Sequence, residues 1–221
     1  MNNNIGRGLG VALGAASMLA LANIAEASTL AVSASYGGTW LPGSTVVTFD
    51  SGQPANVTFS GGAAIVSGSA SGLYAAPWVG DANGGPDQTP YVSVFGGSAA
   101  TFTLSQPSTY LGVLWGSVDV DTNRNLISFY RGEQLVGSVQ GSDIASLLPD
   151  LTTGGGVNWF YQGTVYANIT SPVAFDRVVF QDLSSNSFEF DNVAVVPLPM
   201  ALPLFASVLI GLGAFANWRE A

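Results

Sequence analysis

Asp119-Val120-Asp121-Thr122-Asn123 places three oxygen-bearing side chains at alternate positions, directly after a strand-like run. A turning loop can fold that spacing around one hard cation, calcium above all. The twelve-residue EF-hand pattern is excluded: its sixth position is Arg124 rather than Gly, and its twelfth is Tyr130 rather than Glu. Arg124 can neutralise the aspartates itself, and a solvated Asx turn is the competing reading. A second constellation is Trp159-Phe160-Tyr161, flanked by Asn158 and Gln162. On a strand, Trp159 and Tyr161 share a face, where rings could stack on sugars while the amides read hydroxyls. The competing role is core packing, because rings bury large apolar area. Trp78 and Trp115 read as core residues or as rings lying under a loop.

Other chemistry is removed by what the chain lacks. It has no histidine and no cysteine, and all five of its basic residues are arginine. Ser-His-Asp and Cys-His triads, ordinary zinc sites, Schiff-base lysines and disulfides are therefore excluded. Away from the two ends, Glu133 and Glu189 are the only glutamates. Two carboxylates suffice for glycoside hydrolysis, but no glycosidase motif surrounds them, and a non-enzyme is expected. A net charge of −9 excludes a phosphate-backbone partner, so no nucleic acid is expected.

The ends read as delivery signals. Residues 1–27 run from a polar stretch with Arg7, through the apolar Gly8–Ala22, to Ala25-Glu26-Ala27. That order is a secretory signal peptide, with Ser28 as the expected mature start and cleavage after Ala22 as the second choice. It implies export through the secretion machinery and cleavage by a signal peptidase. At the other end, Met200–Ala216 carries no formal charge, and its only polar side chain is Ser207. As a helix the run spans roughly 25 Å, close to a bilayer's hydrocarbon thickness, and Pro203 suits its first turn. Removing both ends takes away Arg7, Glu26, Arg219 and Glu220, so the net charge of −9 is unchanged.

Val196-Pro197-Leu198-Pro199, then the hydrophobic stretch, then Arg219, resembles the PEP-CTERM sorting signal in its VPLP variant. The resemblance covers about the last 26 residues, 196–221. It departs from the usual pattern at Met200, where a small residue is common, and at Arg219-Glu220, where a basic cluster is common. It implies a bacterial protein held transiently in the inner membrane by a helix at about 203–218 and processed there by an exosortase. Such proteins then pass to the cell surface or to an exopolysaccharide matrix. Tyr110–Asp119, Leu126–Tyr130, Phe175–Phe180 and Phe188–Val193 also resemble one family of exosortase-dependent surface proteins, over roughly Tyr91 to Val196. That family brings no chemistry to transfer.

Between the ends, residues 28–195 form one domain with no internal repeat. Thr45–Phe49, Tyr91–Phe95, Ala100–Leu104, Leu126–Tyr130, Thr164–Ile169 and Phe188–Val195 alternate apolar and polar positions, as half-buried strands do. Arg131-Gly132-Glu133 predicts a hairpin to Gln134–Val139. Phe175–Phe180 is expected to pair with Phe188–Val195 through the Asp182–Ser187 turn. One helix is predicted over Ser142–Leu148, capped by Ser142 and stopped by Pro149. The fold class is all-β: an antiparallel two-sheet sandwich, jelly-roll-like, with nine to eleven strands.

By analogy with jelly-roll carbohydrate-binding modules, whose last strand often supplies a calcium ligand, Asp191 joins Asp119, Asp121 and Asn123 as a candidate ligand. The alternative is an edge residue that discourages strand addition. No cofactor is required in this reading, and a structural calcium is the one candidate. Three functions compete: a sorted surface or matrix protein, a secreted polysaccharide-binding module, and a permanently membrane-anchored surface domain.

Overall fold

The computed structural model describes residues 29–79, 84–116, 118–119, 124–148, 151, 163–183 and 187–198. The strands are β1 (Ala31–Ser35), β2 (Thr45–Val47), β3 (Val57–Ser60), β4 (Ala64–Val66), β5 (Trp78–Val79), β6 (Gly85–Pro86), β7 (Tyr91–Phe95), β8 (Ser98–Gly116), β9 (Asn125–Arg131) and β10 (Gln134–Gln140). After α1 (Gly141–Leu147) come β11 (Val165–Asp182) and β12 (Ser187–Pro197). Every pairing is antiparallel.

Two long strands build both layers. The first half of β8 pairs with β3 and with the second half of β11, which continues to β9 and β10. The second half of β8 pairs with the first half of β11, bordered by β1, and with β12. From β12 that layer extends to β7 and β4 at one end and to β2 at the other. Register shifts between Thr170 and Arg177 mark the passage from one layer to the other. Inward positions on β8 change there from Ala100 and Phe102 to Leu111, Val113 and Trp115, a change of parity that a bulge produces.

The layers face each other across a core of rings. Phe180 of the first layer stacks on Phe190 of the second, with centroids 4.1 Å apart and planes 18° from parallel. Phe102 packs edge-on against Phe180 at 5.2 Å, and Trp115 lies 4.9 Å from Phe188. This facing arrangement corrects the expected hairpin: the second half of β11 and β12 occupy opposite layers, so that half of β11 pairs with β8 and β9 while β12 pairs with β7 and β8. Trp115 is fully buried, as expected.

The Arg131–Gln134 hairpin forms, with Gly132 at φ 57, a backbone conformation that favours glycine. The Asp176 carboxylate accepts the Gly132 N–H at 3.0 Å, and Arg177 donates to the Gly132 carbonyl at 2.9 Å. The helix starts one residue earlier than predicted. Gln140 rather than Ser142 is its N-cap, because the Asp143 carboxylate accepts the Gln140 N–H at 2.8 Å. Among the described residues no helix is long and apolar enough to cross a membrane; residues 1–27 and Met200–Ala216 lie outside them.

Candidate functional site

The outer face of the second layer carries the polar chemistry. On β12, Phe188 and Phe190 point into the core, so Glu189 and Asp191 point the other way. Both are nonetheless buried, at 1% and 2% exposure. The described parts of segment 67–90 form a strap that covers them. Tyr91 donates its hydroxyl to the Gly68 carbonyl at 2.5 Å, and Ser69 Oγ accepts the Ala76 N–H at 2.9 Å. Thr164 Oγ1 accepts the Trp78 N–H at 2.8 Å. Pro77 rests directly on Gly116, where an added Cβ would come within 2.8 Å of the proline ring.

Glu189 ties the strap down, since its Oε1 accepts the Ala75 N–H at 3.1 Å and the Ser187 hydroxyl. Asp191 sits just before a bulge, where Asp191 pairs with Leu114 but Ala194 pairs with Gly112. Asn192 absorbs the extra residue at φ 49, a region that Asn tolerates better than most residues. Its carbonyl accepts the Tyr166 hydroxyl at 3.1 Å. Asp87, at 4% exposure, reaches towards β12 from the strap, and its carboxylate acts on the Asp191 carboxyl. Burial above all, opposed by the Asn192 N–H and reinforced by Asp87 and Asp50, pushes Asp191 up to about 8. Burial also raises the Tyr91 hydroxyl, helped by Glu189.

Asp191 is therefore an interior residue of a central strand rather than an edge residue. Of its expected companions, Asp119 is buried elsewhere: its N–H donates to Asn125 Oδ1 at 3.2 Å, and its carbonyl packs against Gly141. Asp121 and Asn123 lie outside the described residues, as do Asn158, Trp159, Tyr161 and Gln162. Asp87 was not singled out from the sequence. It follows Gly85-Pro86 in a stretch that reads as a plain loop, and only the folding of the strap carries it to β12.

A second feature lies further along the same outer face. The segment between β1 and β2 folds over β11 and brings Trp40 within 6.0 Å of the Tyr166 ring, while 37% of Trp40 stays exposed. Beside it, Thr39, Leu41, Tyr110, Asn168 and Thr170 line a groove of about 340 Å³. The Tyr110 hydroxyl donates to Asn168 Oδ1 at 2.5 Å and accepts the Leu41 N–H at 3.0 Å. Rings and an amide thus converge here, a combination that the sequence had suggested around Trp159.

The Val196-Pro197-Leu198-Pro199 segment meets the fold at its first three residues. Val196 and Pro197 end β12; the Val196 carbonyl accepts the Ser108 hydroxyl at 2.8 Å, and Leu198 donates its N–H to the Pro107 carbonyl at 2.9 Å. Pro199 and Arg219 lie outside the described residues.

No protein family matches the sequence, and no curated protein matches it either. Two solved structures resemble the fold. One is the K2 cleaved adhesin domain of Lys-gingipain, at TM-score 0.41 and 13% identity, covering 69% of this chain and 98% of that one. The other is a catalytic domain of a GH87 alpha-1,3-glucanase in complex with tetrasaccharides, at TM-score 0.42 and 15% identity. That match covers 71% of this chain, which spans 28% of the glucanase chain.

Proposed function

We propose that this chain is a non-enzymatic, exported surface protein whose jelly-roll-like sandwich is delivered by its two ends. Residues 1–27 direct secretion, and a signal peptidase removes them. Residues 196–221 arrest the chain in the inner membrane through a helix at about 203–218. An exosortase then processes the tail, and the domain passes to the cell surface or to an exopolysaccharide matrix. The observation that supports this reading is the way the last strand ends. Pro197 and Pro199 have no N–H to donate, so neither adds a donor to the ladder that binds β12 to β8. The last described bond of that ladder is made by Leu198. The handover from domain to tail therefore falls within the four-residue motif, where a signal read independently of the domain has to begin.

The mass of the mature, cell-associated protein tests this. A product that begins at Ser28 and lacks Phe215 and Trp218 is the expected result. A product that retains both would mean a permanent membrane anchor.

A second reading, a polysaccharide-binding module, is favoured by the half-exposed Trp40 beside the Tyr110–Asn168 groove. Stacking on the ring with hydroxyl recognition by the amide is the chemistry it would use. Retardation on polysaccharide-containing gels, abolished by Trp40→Ala or Trp159→Ala with the fold intact, would support it. No retardation by any polysaccharide would leave the matrix-scaffold reading.

A further inference from the structure

Asp87 and Asp191 present a buried electrostatic imbalance. Both are at most 4% exposed, and the Asp87 carboxylate acts on the Asp191 carboxyl. Asp87 Oδ1 is held by the Thr89 N–H at 2.8 Å and the Thr89 hydroxyl at 2.6 Å. Its own N–H is bonded to the Pro77 carbonyl at 2.7 Å, so the strap holds this carboxylate rigidly. Asp191 Oδ1 is buried without a hydrogen-bond partner. Asp50 also acts on Asp191, and among the described residues no arginine is one of the groups that shift it. Arg131 and Arg177 are occupied at the β9–β10 hairpin of the other layer. Two neighbouring buried carboxylates with no counter-charge among the described residues cost several kcal/mol, unless a proton or a cation joins them.

We propose that Asp87 and Asp191 bind one divalent hard cation, calcium foremost, which fastens the 67–90 strap to the outer face of β12. With no histidine or cysteine in the chain, only oxygen donors are on offer, and these suit calcium rather than zinc or copper. One Ca²⁺ neutralises two carboxylates and gives the unpartnered Asp191 Oδ1 a partner. No three acidic side chains among the described residues stand at metal-binding spacing. Main-chain oxygens and water would complete the shell, which calcium's irregular coordination accepts. The site does not include Asp119, and it does not depend on the surface-protein reading.

The test uses the full chain in non-ionic detergent, stripped with EDTA and titrated with calcium chloride. The melting temperature is expected to rise by roughly 5–10 °C at a hundredfold excess over Kd. The rise should disappear in Asp87→Asn and in Asp191→Asn and persist in Asp119→Asn. A terbium titration of the unmodified chain gives a second readout, because Tyr91, whose hydroxyl feels the Asp87 carboxylate, can sensitise terbium emission. That emission should be quenched by added calcium. No calcium-dependent rise, a rise unchanged in both variants, or a rise lost only in Asp119→Asn would each overturn the proposal. If the variants do not fold, absence of calcium-competed terbium emission overturns it equally.

Discussion

Asp191 shows how one side chain can make stability depend on pH. Its carboxyl is raised from 3.8 to about 8 in the folded chain, mainly by burial. Between those values the folded state binds more protons than the unfolded state, so stability falls as pH rises through that window. Urea midpoints measured in EDTA should decline from about pH 4 to about pH 8, and Asp191→Asn should flatten that slope. Gly141 is a second residue on which local structure turns. A Cβ there would lie 1.7 Å from the Asp119 carbonyl oxygen, which is backbone and cannot swing aside. Gly141→Ala should cost about 1–3 kcal/mol, seen as a lower urea midpoint with an unchanged slope.

Elements inherit their geometry from such residues. The β12 bulge lets Phe190 and Val193 both face the core, while Asp191 faces the strap. Asn192 carries the positive φ that this requires, so Asn192→Gly should be tolerated, whereas Asn192→Val should cost about 1–2 kcal/mol in thermal unfolding. The β9–β10 hairpin is clamped mainly by Arg177, which lies 4.5 Å over the Tyr130 ring and donates to the Gly132 carbonyl. Its ion pair with Glu133, at 3.4 Å and with Glu133 95% exposed, adds little because water screens it. Arg177→Ala should therefore destabilise the chain measurably, and Glu133→Ala should leave the melting temperature within error.

At the scale of the whole molecule, the end of the sandwich coincides with the Val196-Pro197-Leu198-Pro199 segment. A chain ending at Leu198 keeps the Ser108–Val196 and Pro107–Leu198 bonds, and one ending at Val195 loses both. Two such bonds are worth about 2 kcal/mol. Chemical denaturation of residues 28–198 and 28–195 side by side should show that difference. Equal stability would separate the motif from the domain entirely.

The antiparallel β class, the strands from Tyr91 to Phe95 and from Leu126 to Val139, the Gly132 turn and the burial of Trp115 were all legible in the sequence. Each follows from local alternation or from a glycine, and a strand's period of two depends only on its own residues. The partnering of β11 was not legible. Nothing local distinguishes a neighbouring strand from one in the facing layer, and the stack of Phe180 on Phe190 settles which it is. The same holds for Asp191. Its position in the final strand was visible, but its burial, its partner Asp87 and its missing counter-charge arise from a strap more than a hundred residues away in sequence. Local chemistry set the elements and marked the ends; long-range packing alone decided which acids would meet.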